Sequence, residues 1–396
     1  MVKKGYKQTE IGVIPEDWEV KPLKVVAPLQ RGFDLPYSSI KDGIYPVVFS
    51  NGIGAYHSSY MVKGPGVVMG RSGTIGKIHY VKSDYWPHNT TLWVTDFHNN
   101  DPLFASYLFK TIPWNLYNSG SGVPTLNRND VQDYLVAIPS PKEQTEIAAI
   151  LSDVDTLINS LKRQIVKKKA IKQGAMQELL TGKRRLPGFS GEWETKKLED
   201  YCSLITKQTG FDYSAYIKPA LITRKMPNTF PMIQTINFRG RKFTFETDYY
   251  IPQSVAMQFP NIVLNKKCVL FSIVGASVGN VGLYHGSITA FCGGAIGITR
   301  FRNEQDAEWV FNYMSSPDGQ SQIQYVTKGG AQATVTIADI RHFKIPTPEK
   351  DERDAISGIL ENMDHEIEVL EQKLEKYREV KQGMMQQLLT GKIRLV

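Results

Sequence analysis

The sequence predicts two copies of an α/β or α+β domain, separated by two long antiparallel coiled-coil helices, in a pseudo-two-fold internal repeat. Three observations carry this expectation: a repeat at long range, a seven-residue apolar period closing each copy, and short β-branched, Gly-bounded runs between the periodic stretches. A chain of 396 residues also exceeds what one compact core ordinarily organises.

The repeat is the strongest signal. Lys172-Gln-Gly-Ala-Met-Gln-Glu-Leu-Leu-Thr-Gly-Lys-Arg-Arg-Leu186 returns as Lys381-Gln-Gly-Met-Met-Gln-Gln-Leu-Leu-Thr-Gly-Lys-Ile-Arg-Leu395, 209 residues later. Each copy ends a helical pattern with a recognisable start, Ile138-Pro-Ser-Pro-Lys-Glu143 and Ile345-Pro-Thr-Pro-Glu-Lys350. Ser140 and Thr347 read as N-caps, Pro141 and Pro348 as first-turn residues, and Glu143 as the partner completing a capping box. These starts lie 207 residues apart rather than 209, so the second helix should carry two extra residues near its beginning. Gly182 and Gly391 close the helices, because glycine takes the left-handed conformation at a helix end without strain.

Between starts and stops, Ile356, Leu360, Met363, Ile367, Leu370, Leu374, Tyr377, Met384 and Leu388 follow a heptad register. The shifted copy reads Ile147, Leu151, Val154, Ile158, Leu161, Ile165, Ala175 and Leu179, with Lys168 and Lys172 intruding. A helix of about 40 residues rises roughly 60 Å and is unstable in water unless its apolar stripe is covered. The other copy is the natural cover. Antiparallel pairing lets the intervening segment leave one end and return to the other. Gly174 and Gly383 each cost a helix about 1 kcal/mol relative to Ala, and their equivalent positions suggest a close packing partner, either the crossing helix or another subunit. The residues assigned to helix pairing and partner docking are Leu151, Ile158, Leu161, Gly174, Leu179, Leu360, Ile367, Leu370, Gly383 and Leu388.

The resulting division is a first domain at 1–140, a central helical spacer at 141–185, a second domain at 186–346 and a C-terminal helical spacer at 347–396. Fainter similarities link the domains: Trp18 aligns with Trp193, Gly73-Thr-Ile-Gly76 with Ala276-Ser-Val-Gly279, and Gly122-Val-Pro-Thr-Leu126 with Ala331-Gln-Ala-Thr-Val335. Tyr45–Phe49, Gly66–Met69, Ile75–Val81, Cys268–Val274 and Ala295–Phe301 read as strands.

Composition limits the function. Lys and Arg number 47 against 39 Asp and Glu, a formal charge of +8 that suits a polyanionic partner. Three cysteines without CxxC spacing support neither a disulfide framework nor a zinc knuckle, and no apolar stretch is long enough to cross a bilayer, so a cytoplasmic protein is expected. Gly70-Arg-Ser-Gly-Thr-Ile-Gly-Lys-Ile78 fails the phosphate-loop spacing and reads as a hairpin. No amino-methyltransferase motif, nuclease carboxylate set or paired histidine ligands are present, so no catalytic residue and no metal site are assigned.

At this point the opening YKQTEIGVIPEDWEV, the central EIAAILSDVDTLI…LLTGKRRLPGFSGEWE and the closing AISGILENMDHEIEVL…LLTGKIRL resemble the specificity (S) subunits of type I DNA restriction-modification enzymes. The resemblance spans the whole chain. It implies two target recognition domains, each reading one half of a split, asymmetric double-stranded DNA target, with helices that dock the catalytic partners. Those partners would be two methyltransferase (M) subunits and two restriction/translocase (R) subunits. S-adenosylmethionine, ATP and Mg would sit on them and no cofactor on this chain.

DNA contact is sought among basic and small polar side chains on Gly-bounded loops, since arginine reads guanine edges while Lys, Ser and Thr mostly bind phosphate. The candidates are Arg71, Ser72, Thr74 and Lys77 in the first domain and Arg224, Lys225, Arg239, Arg241 and Lys242 in the second, with Ser277 added by alignment with Thr74. Nine basic residues between Lys162 and Arg185 face one acidic residue, Glu178, and suit either a phosphate-facing strip or a solvated helix face. Competing readings are a stand-alone methyltransferase or nuclease with divergent motifs, and a coiled-coil scaffold protein. Methyl transfer by the isolated chain would favour the first, and neutral or acidic domain surfaces the second.

Overall fold

The computed structural model describes residues 2–120, 122–327 and 333–395. Two compact units emerge, Met1–Arg163 with Glu371–Val396, and Gln164–Leu370. Each long helix contributes residues to both.

In the first unit an antiparallel four-stranded sheet is built from β1 (Leu29–Arg31), β2 (Gly66–Gly70), β3 (Ile78–Val81) and β4 (Thr91–Val94), in the order β1-β4-β2-β3. Tyr45–Phe49, Gly52–His57 and Trp86–Pro87 form a second, mixed sheet, with Val47 parallel to Trp86. Glu19–Pro22 pairs with Leu135–Ile138, the strand that leads into the first long helix, α1 (Pro141–Leu179).

The second unit repeats the plan. β5 (Cys202–Lys207), β6 (Cys268–Ser272), β7 (Val281–Tyr284) and β8 (Ile296–Phe301) lie in the order β5-β8-β6-β7. Thr229–Ile233 runs parallel to Ala290–Cys292, as Tyr45–Phe49 does to Trp86–Pro87. Glu194–Lys197 pairs with Lys344–Thr347, and the chain enters the second long helix, α2 (Lys350–Leu388). The predicted strands are all present. Ile75–Val81 begins as a strand only at Ile78, because Gly76 adopts φ +70 in the hairpin loop.

Both long helices have 39 residues, which corrects the expected two-residue extension of the second. Ile138 faces Glu19 and Thr347 faces Glu194 at equivalent places, so Pro139, not Pro141, is the counterpart of Pro348. The similar Pro-Ser-Pro and Pro-Thr-Pro strings are thus out of step by two, and the extra residues belong to the strand end. Ser140 caps α1 as expected, accepting from the Glu143 amide at 3.3 Å. Thr347 does not cap α2. It ends the strand, and its hydroxyl bonds Tyr201 and the carbonyl of Ile345. Gly182 (φ +70) and Gly391 (φ +69) close the helices as their sequence positions predict.

Within each unit the helices run antiparallel. In the first, Asp155 meets Lys381 at 2.7 Å; in the second, Asp364 meets Lys172 at 2.5 Å and Glu366 meets Lys168 at 2.6 Å. Asp155 and Asp364, like Lys172 and Lys381, are 209 residues apart, so Lys172 and Lys381 make one ion pair twice, while Lys168 has Tyr377 as its counterpart. Ile147, Leu151, Ile158, Leu161, Ile165, Leu179, Ile356, Leu360, Ile367, Leu374 and Leu388 are buried, while Leu370 is half-buried. Leu151 and Leu388 join the first unit's core around Trp18, Phe104 and Phe109; Leu179, Ile356 and Leu360 join the second unit's core around Trp309.

The glycines behave differently from expectation. A Cβ added at Gly174 or Gly383 meets nothing within 4 Å, so neither marks a close crossing inside the chain.

Candidate nucleic-acid interface

The loop joining β2 to β3 is held by its own backbone. The Arg71 and Ser72 amides both donate to the Thr90 carbonyl, and the Leu126 amide donates to the Arg71 carbonyl. Gly73 and Gly76, at φ +81 and +70, permit the turn. Thr74 and Lys77 converge on one residue: the Thr74 hydroxyl donates to Asn51 Oδ1 at 2.7 Å and Lys77 Nζ to the Asn51 carbonyl at 2.8 Å. Arg71 is half-buried, and its guanidinium enters no hydrogen bond or ion pair among the described residues. Behind the loop the Tyr37 ring, 75% exposed, stacks on Phe49 at 5.6 Å, and Phe49 lies 4.4 Å from the His88 ring. Burial pushes the His88 imidazole below its ordinary value, favouring a neutral ring.

The equivalent loop of the second unit makes the same bonds one residue longer. Gly275 donates to the Ala333 carbonyl as Gly73 does to Pro124, and Val335 donates to Ile273 as Leu126 does to Arg71. Gly76 therefore matches Gly279, but Gly73 matches Gly275, and Ser277 is aligned with Thr74 only from the Gly279 side. Arg71 has buried Ile273 as its counterpart. Thr334 and Val335 lie where their alignment with Thr125 and Leu126 requires, while Ala331 and Gln332 of that motif fall outside the described residues.

The remaining candidates separate. Arg224 and Lys225 are exposed in the turn before Thr229–Ile233, and Arg239 and Lys242 are exposed cross-strand partners flanking a hairpin whose Gly240 has φ +64. Arg241 turns inward. It pairs with Asp364 at 3.0 Å and Glu308 at 2.7 Å and lies over the Phe311 ring, so its guanidinium anchors the domain to α2. Burial raises the Glu308 carboxyl, yet Arg241 and Lys267 outweigh it and hold the group below its ordinary value. Four of the nine basic residues from Lys162 to Arg185 are answered within the chain, Lys168, Lys172, Arg184 and Arg185 each standing in an ion pair.

Sequence reasoning missed a duplicated clamp. Glu143, 1% exposed, accepts Trp18 Nε1 at 3.0 Å and is gripped by Arg394 at 2.6 and 2.9 Å. Its carboxylate is thus spent on these partners instead of the expected capping box. Glu352, 0% exposed, accepts from Trp193 Nε1 at 3.0 Å and from Arg185 Nε and Nη2 at 2.7 Å each. The hydrogen bond to Glu143 raises the Arg394 guanidinium above its ordinary value, with Asp17 adding to it. Gly182 and Gly391 close against these same tryptophans, a Cβ there standing 3.4 Å from Trp193 and 3.3 Å from Trp18. The 209-residue offset relates Glu143 to Glu352 and Arg185 to Arg394; aligning the helix starts at 207 hid the pairing.

Among the described residues no group of His, Cys, Asp and Glu could hold a metal ion, and no helix is long and apolar enough to cross a membrane.

The chain matches the type I restriction modification DNA specificity domain over residues 15–171 and again over 190–377. It is 27% identical over 438 aligned residues to a Methanocaldococcus jannaschii protein provisionally named the type I restriction enzyme MjaX specificity subunit, covering 99% of this chain and 97% of the relative. The MjaVIII specificity subunit of the same organism is 26% identical over 310 residues, 74% of this chain and 70% of the relative. The crystal structure of the type I restriction-modification S subunit from M. genitalium shares the fold, with TM-score 0.64 at 14% identity over 96% of this chain and 97% of that one. With two domain matches that together cover most of the sequence, the chain belongs to the family of type I restriction-modification DNA specificity subunits.

Proposed function

We propose that the chain reads a bipartite, asymmetric double-stranded DNA target, one half-site per unit, and docks partners that carry out methyl transfer and cleavage. One observation carries this reading: the two units keep the same four-stranded sheet order and loop hydrogen bonds but differ in the side chains set on that frame. Arg71, Ser72, Thr74 and Lys77 in the first unit and Arg224, Lys225, Arg239, Lys242 and Ser277 in the second are the proposed contacts. Arg241 is assigned to holding the second domain on α2. S-adenosylmethionine, ATP and Mg belong to the partner subunits in this reading, and a cytoplasmic location follows from it. The domain limits 1–140 and 186–346 are proposed as the two readers, with 141–185 and 347–396 as helical spacers.

Coexpression with the neighbouring methyltransferase subunit in a methylation-free host, followed by sequencing for modified adenines, tests the reading. A split motif with unlike halves is expected. A palindromic or uninterrupted motif would overturn it.

A further inference from the structure

The corner between the first strand of each four-stranded sheet and the segment entering its neighbour is built alike in both units but lined by opposite chemistry. His88 donates to the Val48 carbonyl and Gly293 to the Ile233 carbonyl, which equates His88 with Gly293 and Phe49 with Gln234. Sheet register equates Arg31 with Lys207, and so Gly32 with Gln208. In the first unit Gly32 is pressed against the backbone of His88, where a Cβ would come within 2.2 Å of its carbonyl oxygen. The Phe49 and His88 rings pack together here, with the exposed Tyr37 ring stacked on Phe49. In the second unit the exchange runs the other way. Gly293 and Gly294 make room, and the corner opens into a cleft of about 480 Å³ lined by Gln208, Thr209, Gln234 and both glycines. Gln208 is only 4% exposed, and its Nε2 is buried with no hydrogen-bond partner among the described residues. Burying an amide donor unanswered is costly, and native proteins do so rarely.

We propose that Gln208 reads an adenine edge in the half-site of the second unit, with Gln234 lining the same cleft. This rests on the reading of one half-site per unit. A glutamine amide matches adenine alone among the bases in a bidentate way, donating to N7 and accepting from N6. The orphaned Nε2 is the donor that N7 would satisfy, the amide turning from its buried position toward the cleft to meet it. The first unit, which has Gly32 at this place, has no such amide and must read its half-site by other means.

The experiment uses the complex with its methyltransferase subunit. Methylation motifs are mapped for the wild type and for Gln208→Leu, which keeps the volume and removes both hydrogen-bonding atoms. One adenine position in one half should become degenerate while the other half stays unchanged. An unaltered motif overturns the assignment. If Gln208→Leu does not assemble, the wild-type complex is titrated with duplexes carrying 7-deazaadenine at each unmethylated adenine of the motif in turn. One position should weaken binding about 5- to 100-fold, and no weakening at any position overturns the assignment. A split motif insensitive to both changes rejects Gln208 alone. A continuous wild-type motif rejects the half-site reading and the assignment with it.

Discussion

Trp18 and Glu352 carry the sharpest tests at the residue scale. Trp18→Phe removes the donor to Glu143 and also shrinks a fully buried ring, so it should cost at least about 1–3 kcal/mol in chemical denaturation; no loss would count against the clamp. For Glu352 burial acts to raise the carboxyl, but the Arg185 and Trp193 hydrogen bonds outweigh it and hold it below its ordinary 4.5. A carboxyl so lowered stabilises the folded state fully above its ordinary value, and that stabilisation is lost as pH falls through the lower folded value. Glu352→Gln should therefore melt at a temperature less dependent on pH than the wild type as the pH falls below 4.5. The same pH dependence in both proteins there would count against the clamp. Arg185 was visible in the sequence as one of nine basic residues and invisible as the partner of Glu352, because 167 residues separate them.

Elements respond through the helix seam and its glycines. Leu360 is fully buried whereas Leu370 is half-buried, so Leu360→Ala should lose about 2–5 kcal/mol and Leu370→Ala distinctly less. Equal losses at the two positions would contradict the seam as described. Because a Cβ at Gly174 or Gly383 meets open space, Gly174→Ala and Gly383→Ala should each stabilise the isolated chain by about 0.5–1 kcal/mol through helix propensity alone. Destabilisation would reveal packing there. The heptad rows and both C-terminal glycines were legible beforehand, since periodicity and positive φ are written in a few neighbouring residues. The start of α2 was not, because Thr347-Pro-Glu imitates a cap while strand pairing with Glu194 claims Thr347.

At the scale of the whole molecule the repeat in the sequence underlies a proposal, that two copies of one methyltransferase partner bind the chain. Light scattering of the purified proteins checks the ratio. A limiting one-to-one complex under excess partner would defeat the two-copy assembly, and bulky replacement of both Gly174 and Gly383 without loss of assembly would exclude these glycines from the contact.

By itself the sequence determined the duplication, the helical and β-rich segments and the family, because each is carried by patterns that need no knowledge of the remote chain. Tertiary structure alone decided which polar side chains remain available. Lys172 and Arg241, both basic on paper, meet at Asp364; Glu143, apparently a capping residue, is taken by Trp18 and Arg394; and Gln208, unremarkable in sequence, is left without a partner. Buried polar groups are matched by proximity across a hundred residues or more, and that proximity is a product of packing, not of spacing along the chain.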